Sequence, residues 1–133
     1  MTPRQLIRET AKQFQAAGVP DALLDASLLL AHLTGMEPMA LRLDEDTQLA
    51  EDILRQYAQL ARRRCQREPL QYLTGEVVFL GRVFHVDSRV LIPRPETELL
   101  VELAASELKK HGAGAKALDL CCGSGCIGVS LAL

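Results

Sequence analysis

The hydrophobic period of this 133-residue chain changes once, at Gly75, and that change limits the folds open to it. Up to Gly75 apolar residues recur every three or four positions, the spacing of helices with one buried face. Beyond it, Glu76-Val77-Val78-Phe79 and Arg82-Val83-Phe84-His85-Val86-Asp87 alternate on either side of Leu80-Gly81, as a two-stranded hairpin does. The chain must therefore join a helical bundle to a part built on strands.

Within the bundle, Thr2-Pro3-Arg4-Gln5 predicts a helix start with Thr2 as N-cap, Pro3 in the first turn and Gln5 completing a capping box. Leu6, Ile7, Thr10, Phe14 and Ala17 give this helix an apolar face that ends at Gly18. After Pro20-Asp21, the leucines and alanines from Leu23 to Leu33 are dense enough to predict a helix buried on most sides, ending at Gly35. A short third helix is expected over Pro38 to Leu43. Asp44, Glu45, Asp46 and Thr47 then precede a long amphipathic run carrying Leu49, Ile53, Leu54, Tyr57, Leu60, Ala61 and Cys65. Acid at its start and Arg62, Arg63, Arg64 and Arg67 at its end complement a helix dipole, which explains the arginines without a phosphate-binding role. Pro69 stops the run, and Leu70 to Thr74 predicts one more helical turn.

Composition narrows the function classes. A hydrophobic fraction of 48% is ample for a core, and a formal charge of −2 argues against a dedicated nucleic-acid binder. No apolar run approaches the roughly 20 residues that span a bilayer, and the polar N-terminus is unlike a signal peptide, so no membrane association and a cytoplasmic location are expected. Cys65, Cys121, Cys122 and Cys126 do not form a secreted disulfide pattern, nor do their gaps suit zinc or an iron-sulfur cluster; free, packing cysteines and no metal are expected.

Two later stretches carry chemistry. In Leu91-Ile92-Pro93-Arg94-Pro95-Glu96-Thr97-Glu98, two prolines fix an extended path before a new helix, holding the Arg94 guanidinium in a defined direction. Glu96 and Glu98 suit the first turn of that helix and Thr97 is a candidate to cap its amides. His85 is expected as an exposed strand residue. The second stretch is Asp119-Leu120-Cys121-Cys122-Gly123-Ser124-Gly125-Cys126-Ile127-Gly128, in which an apolar run from Ala117 feeds an acidic residue, a glycine-rich turn and a helix opening near Ile127. Glycines there let backbone approach a ligand, and the first amides of a helix offer it donors.

Gly123-Ser124-Gly125-Cys126-Ile127-Gly128 also fits the dinucleotide pattern G-x-G-x-x-G. Asp119 shifts the balance, because a carboxylate beside a pyrophosphate is unfavourable whereas the sulfonium and ammonium of S-adenosylmethionine would welcome it. A P-loop reading is poorer, since no Gly-Lys-Ser/Thr follows the turn.

Together, Glu68-Pro69-Leu70-Gln71-Tyr72-Leu73-Thr74-Gly75, Gly81 through Val86, Leu91 through Glu98 and Asp119 through Gly125, behind a leucine-rich bundle, resemble the release-factor glutamine methyltransferases, the HemK family, over the whole chain. The proline-flanked arginine motif is the most specific part of that likeness. The resemblance implies methyl transfer from S-adenosylmethionine to the side-chain amide of the glutamine in the Gly-Gly-Gln loop of peptide-chain release factors. It implies a mainly α chain in three parts: a helical bundle at 1–75 that docks the substrate, a β-hairpin linker at 76–93, and at 94–133 the truncated start of a doubly wound α/β methyltransferase domain. It further implies that Cys121, Cys122, Gly123, Ser124 and Gly125 line the cofactor, that Asp119 supports its methionine end, and that Arg94 and Thr97 border the same pocket.

Two departures from the family are visible. Cys121 stands where the family commonly has glycine, so the loop depends on a backbone angle that Cys can adopt. The family's Asn-Pro-Pro-Tyr motif is expected beyond Leu133, and this sequence contains no Asn. No catalytic residue is therefore assigned within the chain, and little cofactor binding and no methylation are expected of it alone. A strand at 116–121 would lack a sheet to join, which predicts an exposed edge or pairing between molecules. A nucleic-acid methyltransferase with Arg62 to Arg67 as its footprint, and a self-contained helical interaction module, stay open as alternatives.

Overall fold

Thr2 Oγ1 accepts from the Gln5 amide at 3.4 Å and Gln5 Oε1 accepts from the Thr2 amide at 3.1 Å, closing the expected capping box of α1 (Pro3–Ala16). This computed structural model describes residues 1–133, which fall into two compact units, Met1–Thr74 and Gly75–Leu133. The first holds α1, α2 (Ala22–Thr34), α3 (Pro38–Leu43), α4 (Glu51–Cys65) and α5 (Leu70–Thr74). Its core runs from Ile7, Ala11 and Phe14 of α1 through Ala26, Leu29 and Leu30 of α2 to Leu41, Tyr57, Ala61 and Leu73. Helical spacing alone would bring these residues to one side of each helix, and burial of those sides against one another makes the helices stable.

One expectation for this unit is met and one corrected. The second helix is buried on most sides, since only Leu23, Leu24 and His32 are exposed along it, and its buried residues include the polar Asp25 and Ser27. Each buried polar group has a partner, as burial demands. Arg64 Nε donates to Asp25 Oδ2 at 2.8 Å, and Ser27 Oγ donates to the Leu23 carbonyl at 2.6 Å while accepting from Arg42 Nε at 2.7 Å. The acids before α4 are the correction. Asp44 Oδ1 accepts from the amides of Thr47 at 2.9 Å and Asp46 at 3.1 Å, closing a turn that keeps the chain from entering the helix there. Those bonds, chiefly the one from Thr47, hold the Asp44 carboxyl below its ordinary value. Helix α4 starts at Glu51, and Glu51 and Asp52 face the positive end of its dipole instead.

Arg62, Arg63 and Arg64 occupy the last turn of α4 as expected, whereas Arg67 lies beyond the helix at φ 70°; Arg63, Arg64 and Arg67 also bind the unit together. Arg64 donates to the Glu68 carbonyl at 3.0 Å as well as to Asp25, joining α4 to α2. Arg67 Nη1 donates to the Gly18 carbonyl at 2.6 Å, just past the end of α1. Arg63 grips Glu68 through Nε at 2.8 Å and Nη2 at 2.5 Å, which holds that carboxyl below its usual range.

The second unit contains β1 (Glu76–Phe79), β2 (Arg82–His85), α6 (Pro95–Lys110) and α7 (Cys126–Ala132). The strands pair antiparallel in the register Glu76 to His85, Val77 to Phe84, Val78 to Val83 and Phe79 to Arg82. Val77, Phe79 and Phe84 share one face, and the Phe79 and Phe84 rings meet edge to face at 6.2 Å. Phe79 packs with Val101 of α6 and Cys126 of α7 in a small core. His85 is exposed, opposite Glu76, as the sequence predicts. Leu80 and Gly81 adopt φ of 49° and 72°, the left-handed pair that matches the twist of a tight hairpin. Leucine is unusual in that conformation, and its amide donates to Glu98 Oε1 at 2.8 Å.

The run at 116–121 is not a paired strand, because β1 and β2 bond only to each other and no other strand supplies a ladder. Leu118 and Leu120 are 81% and 77% exposed. No helix is long and apolar enough to cross a membrane.

Candidate functional site

The second unit carries every residue that the sequence singles out for a ligand. Pro95 forces the residue before it out of the helical region, so Arg94 is extended at φ −97° and ψ 147° and becomes the N-cap of α6. Its side chain is exposed. The Thr97 amide donates to the Arg94 carbonyl at 3.0 Å. Thr97 does not cap the helix through its side chain, which corrects the expectation for it; the cap position is taken three residues earlier, by a residue without a suitable acceptor. Glu98 spends one carboxylate oxygen on Leu80, so the first turn of α6 is tied to the hairpin.

In the glycine loop, Asp119 is half-buried and its Oδ2 accepts from the Gly128 amide at 3.1 Å. Gly128 is the third residue of α7, so the carboxylate caps that helix from the chain segment before the loop. A Cβ on residue 128 would lie 3.3 Å from the same oxygen. The last glycine of the G-x-G-x-x-G spacing thus lets Asp119 close onto α7. Asp119 Oδ1 has no protein donor, leaving one oxygen for a cationic ligand. The loop between them is shaped by left-handed residues: Cys121 at φ 58°, Gly123 at 56° and Gly125 at 78°, the N-cap of α7. Cys121 keeps the backbone angle for which glycine is the cheaper residue. A bond of 2.8 Å from the Gly125 amide to the Cys122 carbonyl closes the turn.

Cys126 alone of the four cysteines is buried; Cys65 is half-buried, and Cys121 and Cys122 are exposed. The expectation of packing cysteines is corrected for the last two, because the turn carries them away from the Phe79, Val101 and Cys126 core. No group of three or more His, Cys, Asp or Glu side chains is arranged to hold a metal ion.

Arg94 and Thr97 make no hydrogen bond to the glycine loop. They belong to the same unit through Val101, one turn beyond Thr97, which packs on Cys126, the residue after Gly125. Sequence reasoning missed Gly128 as a site residue although the glycine spacing contained it. It read Glu98 only as a helix-start acid, because its partner amide lies 18 residues upstream and leaves no local signal.

The fold defines a mainly helical chain, in which a leucine-rich bundle precedes a hairpin, a proline-fixed helix start and an acid-led glycine loop. The family model described as PrmC N-terminal domain matches residues 5–75, just over half of the chain, and the chain belongs to that family. Curated relatives extend the likeness past the helices. The chain is 40% identical over 133 residues to the release factor glutamine methyltransferase of Chlorobaculum tepidum, covering 97% of this chain and 45% of the relative. It is 38% identical over 128 residues to the protein so named in Leptospira interrogans, covering 96% and 45%, and 40% identical over 132 residues to that of Koribacter versatilis, covering 99% and 47%. The chain therefore spans about half the length of the curated relatives it matches.

Proposed function

We propose that this chain supplies the N-terminal part of a methyltransferase that acts on the glutamine side-chain amide in the Gly-Gly-Gln loop of peptide-chain release factors. The observation that carries this reading is the 40% identity over 97% of the chain to a release factor glutamine methyltransferase. In it, residues 1–75 dock the protein substrate, 76–93 join the parts, and 94–133 begin the domain that binds S-adenosylmethionine. The cytoplasm is the compartment this reading implies.

S-adenosylmethionine, when bound, supplies an electrophilic methyl group on a sulfonium. Asp119 would face its positive end with Oδ1 while Oδ2 stays on Gly128. Cys121 to Gly125 would lie along it as backbone, and Arg94 and Thr97 would border the same pocket. No side chain in the chain is assigned to activate the glutamine amide. Three of the four clustered arginines are engaged inside the helical unit, which supports a protein rather than a nucleic-acid substrate.

A chimera in which the second half of the Chlorobaculum tepidum relative follows Leu133 tests the proposal. Labelled methyl should pass from S-adenosylmethionine to a release factor, Asp119→Ala should weaken cofactor binding, and the 133-residue chain alone should transfer none. A folded chimera that leaves the release factor unlabelled, or that labels nucleic acid instead, would overturn the reading.

A further inference from the structure

Cys121 and Cys122 are adjacent, free and exposed, in the turn between Asp119 and α7. In an extended dipeptide neighbouring side chains leave on opposite faces. The φ of 58° at Cys121 interrupts that alternation. The other two thiols are withdrawn, Cys126 into the core beside Phe79 and Val101 and Cys65 against the helical core. With no third His, Cys, Asp or Glu placed to complete a metal site, the pair offers two sulfurs and no more.

We propose that Cys121 and Cys122 form a vicinal dithiol site for soft, thiophilic ligands that bind through two sulfurs, of the class of trivalent arsenicals. With a hydrated organoarsenical, two As–O bonds break and two As–S bonds form, and each thiol proton leaves with a departing hydroxide as water. Arsenic stays trivalent, and no oxidant or reductant is consumed. A single thiol makes only one such bond, so the pair outcompetes Cys65. The site goes beyond the methyltransferase reading, because it stands on the two exposed sulfurs whether or not the loop holds a cofactor.

Phenylarsine oxide is the probe. In native mass spectrometry the reduced chain should bind one arsenical, and iodoacetamide mapping should show Cys121 and Cys122 protected while the labelling of the half-buried Cys65 is the same with and without the arsenical. Cys121→Ser and Cys122→Ser, both at exposed positions, should each weaken binding at least 100-fold, and Cys65→Ser should leave it unchanged. Excess 2,3-dimercaptopropanol should strip the adduct. Tight binding that survives either loop substitution, a protection map that centres on Cys65 or Cys126, or no bound arsenical on the unsubstituted chain would each overturn the proposal; the map needs no variant to fold.

Discussion

Asp119 Oδ2 accepts the Gly128 amide proton at 3.1 Å, and the same oxygen lies 3.3 Å from where a Cβ on residue 128 would sit. The loop therefore depends on one carboxylate and on one missing methyl group. Asp119→Ala should cost about 1 kcal/mol in the second unit, the usual worth of a helix-capping bond. It should also speed hydrogen exchange at the Gly128 amide several-fold. Gly128→Ala should perturb the same amide by pushing the carboxylate aside by a few tenths of an ångström. Amide exchange followed by NMR checks both, and unchanged protection at residue 128 in Asp119→Ala would refute the capping role.

Cys121 holds a left-handed backbone that costs a non-glycine residue about 1–2 kcal/mol. Glycine removes that strain but loses more freedom on folding, about 0.5–1 kcal/mol. Cys121→Gly should thus stabilise the second unit by about 0.5–1 kcal/mol, seen as slower amide exchange around residues 119–128. Cys121→Val should move in the opposite direction, since a β-branched side chain fits that conformation worst.

Arg64 and Asp25 form an ion pair whose side chains are only 12% and 10% exposed. Arg64→Met leaves a carboxylate buried without its partner and should destabilise the helical unit by about 3 kcal/mol. Replacing both, with Asp25→Leu added, should recover a good part of the loss, because apolar side chains need no desolvated partner. Both tyrosines, Tyr57 and Tyr72, lie in this unit and there is no Trp, so tyrosine fluorescence during urea unfolding reads it selectively. A double variant no more stable than the single one would contradict the argument.

Tyr57 is buried with its hydroxyl donating to the Ala26 carbonyl at 3.0 Å, and burial pushes its pKa up to about 12. The unfolded tyrosine ionises near 10, so between pH 10 and 12 the unfolded state loses a proton that the folded state keeps. Stability contributed by the neutral ring is full below pH 10 and should fall above it by about 1 kcal/mol per pH unit. Urea midpoints from circular dichroism at pH 9, 10 and 11 check this. In Tyr57→Phe that part of the alkaline loss should vanish; an identical slope in the variant would show that other groups cause it.

Much of the helical unit, and the hairpin after it, is legible in the sequence because the determinants are local. Thr2 and Gln5 cap α1 from three residues apart, and the Leu80-Gly81 turn lies between alternating runs that announce it. Where acids and arginines are concerned, local reading reached the helix dipole and no further. Asp44 closes a turn rather than a helix, and Arg64 and Arg67 reach Asp25 and Gly18, 39 and 49 residues away. Sequence spacing cannot express such pairings.

The glycine loop divides in the same way. Its composition, its lead acid and its glycine spacing were readable from the residue order, and with the proline-fixed Arg94 they pointed to one ligand class. Only the tertiary structure decided that Asp119 turns one oxygen onto Gly128, that Glu98 holds Leu80, and that Cys126 enters a core which Cys121 and Cys122 leave. The physical reason is that turns, caps and periodicity are set by neighbours along the chain. The direction of a side chain is set by whichever segment packs against it, and only folding brings that segment near.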